Sequence, residues 1–238
     1  MNRERDDVRQ TGRLGRVMPL SAARVLWLVP CLMIAAAAPA WSQEPNTPPP
    51  MERYVAGTAG AAFAVDTVAA FAGEYGEVVS RRFLAYANYS YIDNLMTDAM
   101  RSNLTLAGDV LTAVTGTTRS FSGRDRGLAF TVGTKFIAAT STFRPYVGGG
   151  AGVLHLRRTV TEASLGNVTD SFAAESGLND GVIPAGQTSS MKPLAEGMGG
   201  LFIVHGRTAV DISYRYRKAF HAEDLSFSQF GVGLGITF

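Results

Sequence analysis

The sequence is nearly without cysteine. Cys31 is its single one, within a stretch read below as removed on export, so the rest has neither a disulfide framework nor a thiol nucleophile. Histidine is almost as scarce. His155, His205 and His221 lie far apart, and with no H-x-x-x-H or C-x-x-C spacing they offer no metal cluster. Charged residues make up only 18% of the chain. The six arginines and three acids of residues 1–42 account for the net positive charge; 16 basic and 17 acidic residues remain, which leaves no electrostatic footprint for nucleic acid. Long apolar runs are missing too: residues 25–38 form one of only fourteen, broken by Pro30, which is short for a membrane-spanning helix.

Recognisable catalytic motifs are equally hard to find. The glycine clusters 148–152 (GGGAG) and 231–235 (GVGLG) lack the G-x-G-x-x-G spacing and following helix of a nucleotide site, and read better as strand glycines. His221 lies near Glu223, Asp224, Ser226 and Ser228, but no G-x-S-x-G accompanies them. The expectation is no enzyme and no cofactor, with a lipid-modifying rim enzyme as the least favoured alternative.

What the chain does have begins with an export signal. Arginines, the short apolar run and small residues up to Ala40 or Ser42 follow one another in the order of a cleaved secretory signal over residues 1–42, with Met18 as a possible true start. Residues 43–52 (QEPNTPPPME) form a Pro-rich, flexible periplasmic lead-in. The remaining domain, 53–238, divides into segments of about ten residues, the length a tilted strand needs to cross hydrocarbon. They are 54–63, 71–79, 83–92, 127–137, 143–156, 193–204, 209–217 and 227–238. Short turns at Ser80, Ser141 and Gly206 alternate with longer connections, above all 93–126 and 157–192. The pattern predicts an all-β, eight-stranded antiparallel up-and-down transmembrane barrel; residues 104–115 and part of the third loop could add a strand pair, making ten strands the alternative.

Faces follow from the alternation of side chains along a strand. In the last segment Phe230, Val232, Leu234, Ile236 and Phe238 share one face, and Gln229, Gly231, Gly233, Gly235 and Thr237 the other. An arginine or lysine facing lipid at mid-depth costs roughly 2–4 kcal/mol, so Lys135, Asp211 and Arg215 are expected in the lumen. Glu74, Glu77 and Glu196 are the carboxylates expected to meet them, with Arg215 as the hub. The facing of the second, fifth and sixth strands stays open, because glycines carry no side chain to report it. Eight strands leave a lumen that side chains can fill, hence a plug.

Together the alternation, the loop pattern and the terminal strand resemble the small bacterial outer-membrane β-barrels, the superfamily of OmpA transmembrane domains, OmpX and OmpW. Residues 143–153 (FRPYVGGGAGV) resemble that group's fifth-strand entry and 227–238 its closing strand. The resemblance implies an outer-membrane location, lipid and lipopolysaccharide as surroundings, and barrel-assembly machinery and periplasmic chaperones as partners in biogenesis. It implies further that the terminal aromatic strand, Phe230 to Phe238 in alternate positions, is the insertion signal. No peptidoglycan-binding domain follows Phe238, so cell-wall tethering is not expected. The role expected is structural or one of surface interaction through loops 93–126 and 157–192. A narrow channel for small apolar solutes, as the OmpW likeness implies, is the alternative. A secreted soluble barrel is the remaining reading, and it requires apolar residues inside.

Overall fold

The computed structural model describes residues 51–138, 142–176, 183, 187–220 and 225–238. The signal segment, most of the lead-in, Cys31, the turn at Ser141 and the residues His221, Glu223 and Asp224 lie outside them.

Eight long strands form a closed antiparallel ring: β1 (Arg53–Phe63), β2 (Thr67–Ser80), β3 (Phe83–Ile92), β4 (Phe121–Ile137), β5 (Phe143–Glu162), β7 (Ser189–His205), β8 (Thr208–Ala219) and β9 (Leu225–Thr237). Each pairs with its chain neighbour, and β1 pairs with β9 from Tyr54↔Thr237 to Phe63↔Ser228, so no edge is left unpaired. A two-residue strand, β6 (Gly166–Asn167), adds to β5 outside the ring. Two helices complete the described elements, α1 (Asp98–Thr115) and α2 (Thr169–Ser176).

The ten-strand alternative fails at α1. Thr97 caps the helix by accepting from the Met100 amide at 3.2 Å, and Gly116 ends it at φ 68°, returning its N–H to Thr112. The apolar residues of this loop therefore lie along a helix; they pair with no strand. The ring strands also run past the expected limits: β4 starts at Phe121, β5 ends at Glu162 and β7 starts at Ser189. These added residues stand beyond the apolar band, where a strand has no need of outward hydrophobics, and so their sequence looks like loop.

The exterior is apolar. Leu234 and Ile236 are 67% and 62% exposed, and Val55, Val132 and Val232 about half. Aromatic rings flank this aliphatic zone at two levels. Phe83, Phe143 and Phe238 stand at the end of the tight turns, and Phe63, Phe71, Tyr89, Phe130 and Phe230 stand toward the long loops. Such a girdled band suits an acyl-chain environment and not water, and it excludes the soluble barrel, whose apolar residues would point inward.

The interior has three levels. At the turn end Tyr54, Leu84, Tyr146, Met198 and Phe202 pack together with Met51 of the lead-in. Charged residues occupy the middle. At the loop end Ile92, Leu154, Leu156, Leu194 and Phe227 close the lumen with Leu95 and Ile183, contributed by the two long connections. One glycine of β5 has a packing reason: a Cβ on Gly150 would overlap both the Tyr86 hydroxyl and the Val132 carbonyl of the neighbouring strand, so the glycine makes room for a lumen tyrosine and for close strand pairing.

Candidate functional site

Burial follows the strand alternation, placing Glu74 of β2, Lys135 of β4, Glu196 of β7 and Asp211, Arg215 and Arg217 of β8 inside the ring, each at most 5% exposed. Arg215 donates to Glu74 Oε2 at 2.6 Å and lies 3.5 Å from Glu196. Lys135 Nζ and the Tyr54 hydroxyl both donate to Glu74, and Lys135 lies 3.0 Å from the Tyr54 oxygen. Arg217 donates to Glu196 Oε2 at 2.5 Å and to Ser90, Gln229 and Asn88 at 2.8, 2.9 and 3.1 Å. Tyr86 donates to Glu196, and Tyr146 to Asp211, both at 2.8 Å. Three cations thus face three carboxylates, with tyrosine, serine, asparagine and glutamine side chains adding hydrogen bonds; Arg215 Nη1 alone among the described buried side-chain atoms makes none and has only the 3.5 Å approach to Glu196.

Glu77 is the exception among the residues expected here. It points outward, about half exposed, and pairs with Arg53 at 3.2 Å at the turn end. Strand parity is the reason: Glu74 and Gly76 face the lumen, so Glu77 cannot. Arg217 is the residue the expected network omitted, and its signal was available, because it shares the face of Asp211 and Arg215. Tyr54, Tyr86 and Tyr146 carry no such signal, since an aromatic residue suits either face of this barrel.

The loop end carries a built cap. The β4–β5 hairpin rises above the ring, and α1 lies against its inner face, with Leu104 and Met96 over Gly123. The connection before α1 is tied down at Asp125. Leu95 N–H donates to the Asp125 carbonyl at 2.7 Å, Asn94 Oδ1 accepts the Asp125 N–H at 3.0 Å, and Arg158 donates twice to the Asp125 carboxylate at 2.9 and 2.6 Å. Arg101 of α1 reaches Asp66 in the first loop at 2.5 Å. Arg119 donates to Glu162 at 2.6 Å and Ser164 adds a second bond at 2.8 Å. These donors, Arg119 first, hold the Glu162 carboxyl below its usual range.

Between α1, the loop-end residues of β4 and β5, and α2 lies a cavity of about 580 Å³. Leu106, Val110, Leu111, Leu165, Val168 and Phe172 supply apolar walls, and Arg119 and Glu162 a polar corner. The size and the ratio of apolar to polar lining match small-ligand sites in general. Leu106, Val110 and Val114, on successive turns of α1, are more than half exposed.

No site for metal-based chemistry stands out: among the described residues no three His, Cys, Asp or Glu side chains are grouped to hold an ion. His155 lies on the outer face of β5 and His205 at the end of β7, just before a tight turn. Of the rim residues, Ser228 shares a 2.7 Å hydrogen bond with Tyr214 on the outer wall.

No protein-family model matches the chain, and no curated protein does. Among solved structures it is similar to Neisserial surface protein A (11% identity, 78% of this chain and 96% of that one, TM-score 0.47). It is also similar to Ail, the attachment invasion locus protein of Yersinia pestis (12%, 78% and 96%, 0.44), and to the N-terminal β-barrel domain of Pseudomonas aeruginosa OprF (14%, 78% and 97%, 0.43). These likenesses are distant, and the architecture stands on strand register and side-chain facing alone. The chain forms a closed eight-stranded antiparallel barrel, apolar outside and charged within, as small outer-membrane barrels are built.

Proposed function

We propose that this protein is an outer-membrane barrel acting at the cell surface, its lumen serving as a structural plug and its cap as a contact surface for an apolar portion of an extracellular partner. Residues 1–42 direct export, the tight turns face the periplasm, and the long loops face outward. Biogenesis uses the barrel-assembly machinery, to which Phe230, Val232, Leu234, Ile236 and Phe238 offer an unobstructed aromatic and aliphatic face.

The observation that carries this reading is the contrast between two spaces. Side chains occupy the lumen at all three levels, whereas the cap holds an open apolar cavity whose walls come from the two long connections. Passage of small apolar solutes is less well supported, because the ring is hydrogen-bonded along every strand pair and its centre is ionic.

Expression in a non-adherent host tests the proposal. Cells carrying the wild-type barrel should attach to hydrophobic and epithelial surfaces above an empty-vector control. The Leu106→Asp/Val110→Asp variant should return to the control level while keeping heat-modifiable migration on gels. Equal attachment of the two, or single-channel conductance of the wild type clearly above the empty bilayer, would overturn it.

A further inference from the structure

Two arginines meet on the outer wall where the apolar band stops. On β4 the outward side chains run Phe136, Thr134, Val132, Phe130 and Leu128, and then Arg126 and Arg124. On β5 they run through Ala151, Val153 and His155 to Arg157. The register sets Arg126 directly opposite Arg157, both exposed, with Tyr91 of β3 beside Leu128 one step below. Side chains facing each other on adjacent strands have Cβ atoms about 5 Å apart, and like charges so placed repel.

Among the described residues no carboxylate sits between the two. Asp93 is 3.7 Å from Arg124 and already accepts the Tyr91 hydroxyl at 2.9 Å; among the described residues no carboxylate pairs with Arg126 or Arg157. In the lumen, by contrast, Lys135, Arg215 and Arg217 each contact a carboxylate. The described part of the chain thus leaves this pair open to an anion from outside. Its level identifies it: the pair sits two residues beyond Leu128, directly above Phe130, Val132 and Val153, which are 48%, 50% and 40% exposed. A lipid whose chains lie on these three residues carries its headgroup phosphate to the two guanidinium groups.

We propose that Arg126 and Arg157, flanked by Arg124 and His155, clamp the phosphate of an anionic lipid in the leaflet surrounding the loop end of the barrel. The inference rests on the membrane reading above. Planar guanidinium forks donate pairs of parallel hydrogen bonds to phosphate, and such charge-assisted bonds are the stronger kind. The continuous apolar track beneath them selects a lipid over a free ion.

The test uses the full barrel in neutral-lipid nanodiscs, with phosphatidic acid added and its retention read by native mass spectrometry. The wild type should retain it. Arg126→Gln/Arg157→Gln should weaken retention by roughly tenfold or more, since two charge-assisted bonds are lost. The Lys/Lys pair should fall between, and Arg81→Gln/Arg207→Gln at the turn end should match the wild type. Equal retention by the wild type and the Gln/Gln variant overturns the clamp. Displacement of the lipid by inorganic phosphate at comparable concentration overturns the lipid assignment in favour of a free-anion site. Failure of the wild type to insert into vesicles at all, as judged by carbonate extraction, overturns the membrane reading instead, so the two failures are distinguishable.

Discussion

Arg215 on β8 donates to Glu74 on β2 at 2.6 Å, reaching inside the ring past β9 and β1, the two strands whose pairing closes it. The seam between the first and last strands is thus held by backbone hydrogen bonds in the wall and by an ion pair across the lumen. Lys135 joins the same carboxylate from β4, on the other side of β3.

Glu74 is accordingly the residue whose loss should cost most. Glu74→Ala leaves Lys135 and Arg215 close together without their shared anion, an expected destabilisation of roughly 3–5 kcal/mol. Glu74→Met/Lys135→Met removes both charges and should recover much of it. Urea unfolding in lipid vesicles measures both, and a double variant no more stable than the single one would contradict the electrostatic origin.

On the outer wall the matching experiment should give almost nothing. Glu77 and Arg53 are about half exposed, so Glu77→Ala should shift stability by less than about 1 kcal/mol in the same assay. A loss as large as that of Glu74→Ala would mean that Glu77 belongs to the lumen after all.

Leu234→Arg separates lipid from water as the outer medium. In a bilayer the change should cost roughly 2–4 kcal/mol, because the side chain sits within the apolar band. A barrel bathed in water would tolerate an arginine at a residue 67% exposed, so an unaltered midpoint argues against a lipid surround.

Gly150 and Tyr86 should be coupled. Gly150→Ala places a methyl group against the Tyr86 hydroxyl and the Val132 carbonyl, with an expected cost of about 1–3 kcal/mol, of which the tyrosine's share is relieved when Tyr86 is removed. Combining it with Tyr86→Ala should cost less than the two single changes together, by at least about 0.5 kcal/mol. Strict additivity would leave the glycine without this explanation.

The cap should loosen in acid. Arg119 holds the Glu162 carboxyl below its ordinary value, so the stabilisation is complete above that ordinary value and is lost as pH falls through the depressed one. Amide exchange in 98–115 should therefore speed up only below the usual carboxylate range, and Arg119→Leu should abolish the dependence. An unchanged acid response in that variant would assign it to another group.

How much of this was legible in the residues differs from one element to the next. The closing strand was readable throughout, because Phe230 to Phe238 alternates without interruption and each residue has a single acceptable face. β4 was readable from 127 to 137 for the same reason, yet its tip was not, since Arg124 and Arg126 lie above the band and need no apolar company. Helix α1 looked like a loop with scattered hydrophobics; its buried contacts, Met100 and Leu104, lie on a hairpin that the sequence does not reveal as extended. Glu77 was misplaced because Tyr75, Gly76 and Val78 give β2 no clear parity.

Local alternation alone determined the strand count, the outward belt and the need to bury Lys135, Asp211 and Arg215, because each of these follows from how one side chain meets lipid or lumen. Ring closure decided the rest. Only when β1 met β9 could residues more than a hundred positions apart, such as Arg215 and Glu74, form an ion pair. Only the hairpin's height above the ring brought α1, Arg119 and Glu162 around a cavity, and set Arg126 against Arg157. Partnership across a lumen or between strands depends on register and curvature, and these arise from the whole sheet, not from any one stretch of it.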